Sequence, residues 1–141
     1  MARFTLLLFA ALLGGGGCAV AQERVDSRGI TSTIKLDEVV YGHLPELNGK
    51  YKLRATEVTF APEGYLGVHH HIDPGVRYVL SGELAFTEGG RTTIYRAGDY
   101  FFETGNLAHT AENKTKQPLH ILFVEILPSD WAAPTVIPPK P

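Results

Sequence analysis

The most informative stretch of this chain reads Gly64-Tyr-Leu-Gly-Val-His-His-His-Ile-Asp-Pro-Gly-Val-Arg-Tyr-Val-Leu-Ser-Gly82. It contains three of the six histidines in a row, His69, His70 and His71, and His109 follows about forty residues later. The stretch otherwise favours a β-strand, in which successive side chains point to opposite faces. His69 and His71 are therefore predicted to share one face, with His70 pointing away. His109, from a distant strand, would complete a site of three imidazole nitrogens for a metal ion.

The composition predicts one globular domain. The chain has 141 residues, of which 44% are hydrophobic and 20% charged, which is enough to build a core. The formal net charge is -2, and no basic run is present. Nucleic acid is therefore not an expected partner.

The first 21 residues are predicted to be a signal peptide. Arg3 is a short positive region, and the apolar segment 4–13 that follows is too short to span a bilayer. Ala19-Val20-Ala21 fits a cleavage site that leaves Gln22 as the first mature residue. We expect export to the periplasm or the medium, with no membrane insertion after processing. The alternative is an uncleaved anchor or a buried N-terminal helix.

Cys18 is the single cysteine, and it follows a run of glycines. This setting loosely resembles a lipoprotein processing site, but Gly15 stands where leucine is normal. Simple export is favoured over a lipid anchor at Cys18. Cleavage after Ala21 would leave a mature chain without cysteine, which excludes a disulfide and a thiolate ligand.

The mature chain is predicted to be all-β, because short segments rich in Val, Ile, Thr, Tyr and Phe alternate with Gly, Pro and Asn turns. Residues 22–32 are predicted to be a flexible lead-in, residues 33–128 a barrel, and residues 129–141 a proline-rich extended arm anchored by Trp131 and Ile137; the alternative for the arm is a disordered tail. The predicted strands are 33–40, 51–61, 65–71, 75–80, 83–88, 92–96, 99–103, 109–112 and 119–127.

Two ordered motifs resemble those of the cupin superfamily. His69-His70-His71 supplies the His-x-His of the first motif, which ends near Tyr78-Val79-Leu80-Ser81-Gly82. Gly98, His109 and Asn113 fall at the spacings of the second motif. The resemblance spans residues 64–113 and implies a double-stranded β-helix, or jelly-roll, barrel. It also implies a structural hydrogen-bonding role for Asn113.

The chain departs from the family pattern at the metal site. The glutamate of the first motif falls at Gly75, so that carboxylate ligand is missing. In the second motif, Thr104 and Asn106 replace proline and glycine, although Gly105-Asn106 can still turn the chain. These departures leave the fourth ligand and the reaction open.

The predicted metal ligands are His69, His71 and His109. Imidazole suits Zn, Cu, Fe and Ni, and the ligand set does not choose among them, so the divalent metal ion (Fe, Mn, Zn, Cu or Ni) stays open. The alternative is a polar pocket without an ion. Three carboxylates, Asp73, Glu83 and Glu103, could each replace the missing ligand, but each is more typical of a solvated or turn-capping charge. Arg77 is predicted to lie on the surface; facing inward, it would favour an anionic substrate.

Seven further positions have structural interpretations. His70 is interpreted as a supporting or surface residue, His43 as a loop residue, and His120 as a hydrogen-bonded barrel residue. Tyr78, Phe86, Phe101 and Phe102 are predicted to be core or pocket wall. These assignments leave the three metal-facing histidines as the chemical centre.

Two functional hypotheses follow. The first is an exported metal-binding cupin with oxidoreductase (dioxygenase-like) or isomerase chemistry on a small organic molecule. The second is a non-catalytic module that binds or senses a small molecule, and a structural ion is a third interpretation. A homodimer is expected, because the extended terminal segments could reach a second copy.

Overall fold

The computed structural model describes residues 24–139. Within this range the chain forms strands, turns and bends and no helix, and hence none long and apolar enough to cross a membrane. The predicted signal peptide and Cys18 lie outside the described residues. The nine strands are β1 (Ser27–Val39), β2 (Tyr51–His71), β3 (Gly75–Ser81), β4 (Glu83–Glu88), β5 (Arg91–Arg96), β6 (Tyr100–Glu103), β7 (His109–Glu112), β8 (Leu119–Pro128) and β9 (Val136–Ile137).

The strands form a nearly closed antiparallel barrel. The hydrogen-bonded order is β5-β4-β7-β2-β8-β3-β6, and β1 and β9 both pair with β2. β2 is the longest strand and pairs with four others, so it organises the barrel. The tight turn at Gly89-Gly90 joins β4 to β5, and both glycines have positive φ, which glycine adopts without a steric penalty.

An apolar core fills one part of the interior. Alternate side chains of β2 point inward, and Val58 and Phe60 are the buried apolar residues of that series. They pack with side chains from β3, β4, β7 and β8, which are Val79, Leu84, Phe86, Ala111, Leu119 and Ile121. The remaining interior is polar and contains the buried His, Asp, Glu and Arg side chains described below.

A β-bulge in β2 sets which histidines face inward. Leu66 pairs with Ala111 and His69 pairs with His109, so β2 has one more residue than β7 between these two pairs. The extra residue moves the inward series from even to odd numbers. Gly67 fits this bulge because a Cβ there would lie 2.9 Å from the Asp26 carbonyl oxygen. As predicted, His69 and His71 are therefore buried on the same face.

The strand boundaries differ from the predicted ones at the N-terminal end. β1 begins at Ser27 rather than residue 33, because residues of the predicted lead-in pair with Tyr65 and Leu66 of β2. The two predicted strands 51–61 and 65–71 are one strand, which passes through Glu63 with a φ of 60°. Phe102, predicted to be core, is 65% exposed because it lies on the outer face of β6.

The C-terminal segment 129–139 is extended, as the prolines predict, and it lies against the barrel. Its short strand β9 pairs with His70 and His71 at the end of β2. The amide of Ile72 donates to the carbonyl of Thr135 at 3.0 Å. The segment therefore lies next to the inward histidines.

Candidate metal centre

His69, His71 and His109 come together inside the barrel. One nitrogen from each lies within 4.8 Å of one nitrogen from each of the others. The ring centroids of His69 and His109 are 4.2 Å apart, and those of His69 and His71 are 5.2 Å apart. All three residues are at most 4% exposed. The structure thus brings together the three residues that the sequence predicted as metal ligands.

Backbone carbonyls orient two of these rings. The Nδ1–H of His69 donates to the Gly67 carbonyl at 2.7 Å, and the Nδ1–H of His109 donates to the Leu107 carbonyl at 3.0 Å. A carbonyl can only accept, so in the neutral rings Nε2 carries the free lone pair. Such hydrogen bonds from the far nitrogen hold metal-binding histidines in many proteins.

Glu103 adds a carboxylate to this group. Its Oε1 lies 2.9 Å from His109 Nε2, and its Oε2 lies 3.7 Å from His71 Nε2. Glu103 is 6% exposed, and Asp73 is 3% exposed. The prediction that these two carboxylates are solvated was therefore wrong. Glu83 instead lies away from the centre, where it forms an ion pair with Arg96 at 3.0 Å.

Arg77 was predicted on the surface and is fully buried. Its guanidinium lies between two glutamates, with Nε 2.5 Å from Glu103 Oε2 and Nη2 3.3 Å from Glu125 Oε1. It also stacks over the Phe123 ring at 4.3 Å. The inward alternation of β3 places residue 77 on the interior face, and partners from two other strands neutralise it. The sequence could not indicate these partners, which are 26 and 48 positions away.

The surroundings shift three pKa values. Burial, with the neighbouring His109, lowers the pKa of His69 to about 3, which keeps that imidazole neutral. Burial by itself would raise the pKa of Glu103, but the His109 hydrogen bond and the Arg77 charge hold it at about 2. Burial and the nearby Glu125 raise the pKa of Asp73 to about 7.

Several buried polar atoms near this centre lack a hydrogen bond of good geometry among the described residues. They are His71 Nδ1, both carboxylate oxygens of Asp73, Nε and Nη1 of Arg77, and Oε2 of Glu103. Unsatisfied buried polar atoms are costly, and a bound cation would satisfy the carboxylate oxygens and an imidazole lone pair among them, although not the two Arg77 donors. His71, Asp73 and Glu125 also form a second group with potential ligand atoms within 4.8 Å of each other. The donor set thus fits a divalent metal ion.

The other histidines and Asn113 have the structural positions that the sequence suggested. His43 lies in an exposed turn between β1 and β2, and His120 lies on the outside of β8 with its Nδ1 3.0 Å from Thr59 Oγ1. His70 Nε2 donates to the Pro138 carbonyl at 3.0 Å. Asn113 is fully buried and donates to the carbonyls of Phe60, Ala61 and Gln117.

A cavity of about 550 Å³ reaches the centre from one side. It is lined by His70, His71, Ile72, Asn106, Ala108, Ile137 and Pro139. Of the three clustered histidines, only His71 lines it. A separate apolar cavity of about 530 Å³ lies under Trp131 and Ile137 and includes none of the three. A small molecule would therefore approach the centre beside the C-terminal segment.

Comparison with known proteins identifies the family. A family model described as "Cupin domain" matches residues 56–125. Residues 56–125 form a cupin domain. The resemblance noted in the sequence is thereby confirmed. No curated protein sequence matches this chain.

Solved structures agree on the fold. The polyketide cyclase RemF from Streptomyces resistomycificus is 22% identical with a TM-score of 0.58, covering 79% of this chain and 72% of that one. An RmlC-like cupin from Shewanella frigidimarina is 21% identical with a TM-score of 0.53, covering 74% and 85%. A cupin domain from Bordetella pertussis is 20% identical with a TM-score of 0.52, covering 72% and 96%. These similarities show the double-stranded β-helix fold, as predicted, and do not extend to activity.

Proposed function

We propose that this cupin binds one divalent metal ion through His69, His71 and His109 and uses it to act on a small organic molecule. The observation that carries the proposal is the convergence of three buried imidazoles beside buried carboxylates. Glu103 and Glu125 share a single adjacent guanidinium, that of Arg77. A buried excess of negative charge is stabilised by a cation; imidazole nitrogens favour Fe, Zn, Cu or Ni, and the adjacent carboxylates would also suit Mn.

The protein residues have separable tasks in this function. When bound, the ion would supply a Lewis acid and an open position for substrate oxygen, water or dioxygen. The carbonyls of Gly67 and Leu107 keep His69 and His109 oriented toward it. His71 stands between the centre and the cavity, so it borders the approach of a substrate. The Phe123 ring lies 6.0 Å from the His71 ring and covers the Arg77 guanidinium.

Metal content tests the proposal. Protein purified without a nickel column should contain about one transition-metal ion per chain, and His69→Ala/His71→Ala should lose it. His120→Ala is the matched control, because it removes an imidazole from the outer face of the barrel. Iron or copper would direct substrate screening to oxygen chemistry, whereas zinc would favour isomerisation, hydration or a structural ion. Wild-type protein that is empty and ignores added metals would refute the metal site.

A non-catalytic binding or sensing cupin is the second candidate. It is favoured by the restricted access to the centre, since only His71 of the three histidines lines the cavity. A binder should be stabilised by its ligand without forming product, whereas an enzyme should turn the ligand over. Screening small organic acids, sugars and phenols by thermal shift, followed by product analysis of the hits, separates these candidates.

We also propose export, with cleavage after Ala21, from the signal-peptide pattern of residues 1–21. N-terminal sequencing of protein from the periplasm or medium should begin at Gln22. Recovery in a detergent phase with a blocked N-terminus at Cys18 would instead indicate a lipid anchor.

We propose a homodimer as the assembly. The exposed aromatic side chains of Tyr100 and Phe102 on the terminal strand β6 support it, because such apolar groups are typical of protein interfaces. Light scattering on the purified protein should give twice the mass of the mature chain.

A further inference from the structure

One position of β3 lies between two glutamates of the neighbouring strands. Gly75 pairs with Glu103 of β6 on one side and with Glu125 of β8 on the other. Directly paired residues in antiparallel strands project their side chains to the same face. Both glutamates therefore enter the interior beside Gly75, and both are at most 6% exposed.

Arg77 occupies the space above Gly75. It is two residues along β3 and so shares the face of Gly75. A Cβ on Gly75 would collide with Arg77 Nη1 and would lie 2.6 Å from the Val124 carbonyl oxygen. No side chain can therefore enter the centre from residue 75. A carboxylate for the centre has to come from a neighbouring strand.

The two glutamates face different nitrogens of His71. Glu103 Oε2 lies 3.7 Å from His71 Nε2, whereas Glu125 Oε1 lies 3.4 Å from His71 Nδ1. Glu125 also accepts a hydrogen bond from Thr135 Oγ1 at 3.1 Å. Because His69 and His109 present Nε2 to the centre, Glu103 is the glutamate on the metal-facing side.

The contact between Glu103 and His109 has the spacing of two ligands on one ion. His109 Nδ1 donates to the Leu107 carbonyl, and its Nε2 lies 2.9 Å from Glu103 Oε1, so without metal the two atoms share a proton between them. Two ligands bound at about 2.1 Å and at right angles to each other lie about 3 Å apart. A metal ion bound by both atoms would take the place of that proton.

We propose that the Glu103 carboxylate is the fourth protein ligand of the metal ion and that Arg77 is a positioning residue that holds this carboxylate from β3. The inference rests on the metal site of the proposed function. Arg77 approaches Glu103 through Nε at 2.5 Å and leaves Oε1 directed at His109. The ligand set is then three nitrogens and one oxygen drawn from β2, β6 and β7.

Metal affinity and the visible spectrum of bound Co²⁺ test this inference. Glu103→Gln should bind Zn²⁺ and Co²⁺ tenfold or more weakly in chelator competition, as expected for the loss of a ligand or its support. Its Co²⁺ absorption bands should shift, because a carboxylate leaves the coordination sphere. Glu83→Gln is the control, since Glu83 pairs with Arg96 away from the centre, and it should keep the wild-type affinity and spectrum. Arg77→Met should shift the Co²⁺ bands toward those of Glu103→Gln.

The outcomes separate the two proposals. Wild-type protein that binds neither metal would refute the metal site itself. Wild-type binding with an unchanged affinity and spectrum in folded Glu103→Gln would refute Glu103 as a ligand and leave the three-histidine site standing. Circular dichroism checks folding of each variant. Where Glu103→Gln does not fold, the crystal structure of zinc-loaded wild-type protein decides: a Glu103 oxygen about 2.0–2.2 Å from zinc supports the inference, and a longer separation overturns it.

Discussion

Arg77 illustrates how strongly one buried charge depends on its neighbours. Moving a charge out of solvent costs free energy. Two buried glutamates and the Phe123 ring surround the Arg77 guanidinium. Removing it would leave Glu103 and Glu125 as like charges without compensation. Breaking a buried ion pair from one side costs more than the pair itself contributes.

Arg77→Met is expected to lower the free energy of unfolding of the metal-free protein by about 3–5 kcal/mol. Arg96→Met provides the comparison, because Arg96 forms an ion pair with Glu83 while 65% exposed, and it should cost no more than about 1 kcal/mol. Urea unfolding in the presence of a chelator measures both. Equal losses for the two variants would show that the buried cluster does not need the guanidinium.

The residue-level predictions succeeded where the information was local. Alternation within His69-His70-His71 was enough to predict which two histidines share a face. The burial of Arg77 and Glu103 could not be predicted in the same way. Both side chains are charged, and each is stable in the interior only because an oppositely charged partner on another strand faces it. Inward alternation from Gly75 was the one local signal that would have placed Arg77 in the interior.

Among the elements, the C-terminal segment 129–139 has the closest relation to the metal centre. It pairs with His70 and His71 through β9, and Thr135 Oγ1 donates to Glu125. Arg54 Nη2 donates to the Trp131 carbonyl at 3.4 Å. These contacts fix the segment over one side of the polar interior, so metal and substrate pass beside it.

A chain that ends at Ser129 should release its metal to a chelator several-fold faster than the complete mature chain. The reason is that the segment shields His71 and the cavity beside it. A chain that lacks only residues 140–141 is the control and should behave like the complete chain. Stopped-flow mixing of Co²⁺-loaded protein with excess chelator gives the rates. Identical rates in both shortened chains would argue against shielding by this segment.

A charged contact joins β1 to β2. Asp37 accepts hydrogen bonds from Arg54 Nε at 3.1 Å and from Lys52 Nζ at 3.0 Å. The Arg54 hydrogen bonds, together with the Lys52 ammonium, hold the pKa of Asp37 below its ordinary value of 3.8. A lowered carboxyl pKa means that the folded state binds this proton less readily than the unfolded chain. Its stabilisation is therefore present above pH 3.8 and is lost as the pH falls through the lower, folded-state value.

Asp37→Asn should lower the stability at neutral pH by about 1 kcal/mol, since the Asp37 side chain is 34% exposed. The difference from wild type should shrink as the pH falls below 3.8. Glu57→Gln, which removes a half-exposed pair with Lys35, is the control and should have a smaller effect. Urea unfolding between acidic and neutral pH provides the measurement. A difference that is constant over this range would contradict the role of the Asp37 charge.

The elements could be predicted better in the middle of the chain than at its ends. β4 matches its predicted bounds 83–88 because the Gly82 and Gly89-Gly90 turns delimit it. β1 was predicted to start six residues too late, because the polar segment before it is stabilised by pairing with β2 rather than by its own pattern. The bulge at Gly67 could not be predicted from the neighbouring sequence either, because it depends on the register between β2 and β7.

For the molecule as a whole, the interior has two parts with different sources of stability. The apolar part is closed by fully buried side chains such as Phe60 and Leu119. The polar part contains ionisable groups whose hydrogen bonding is incomplete among the described residues. Metal binding should therefore contribute to the stability of the whole barrel, because the ion binds only the folded arrangement.

Zinc at a hundredfold excess over its dissociation constant should raise the free energy of unfolding by about 2.7 kcal/mol. The midpoint of thermal unfolding should rise by about 10 °C in consequence. Differential scanning calorimetry with zinc and with chelator measures the difference. His69→Ala/His71→Ala should unfold at one temperature in both conditions. A zinc-dependent rise in that variant would place the stabilising ion elsewhere on the molecule.

The bulge in β2 also limits how this protein can have changed over evolution. Upstream of it, even-numbered residues such as Val58 and Phe60 face inward; downstream, His69 and His71 do. Losing the extra residue at the bulge would still leave both histidines inward, because they would then continue the alternation of Val58 and Phe60 without interruption. Adding one residue that the bulge does not absorb would instead turn both histidines outward. Point substitutions and the loss of the bulge residue can therefore be tolerated on their own, whereas such an insertion would have to be compensated by a deletion before any descendant could keep both its core and its metal centre.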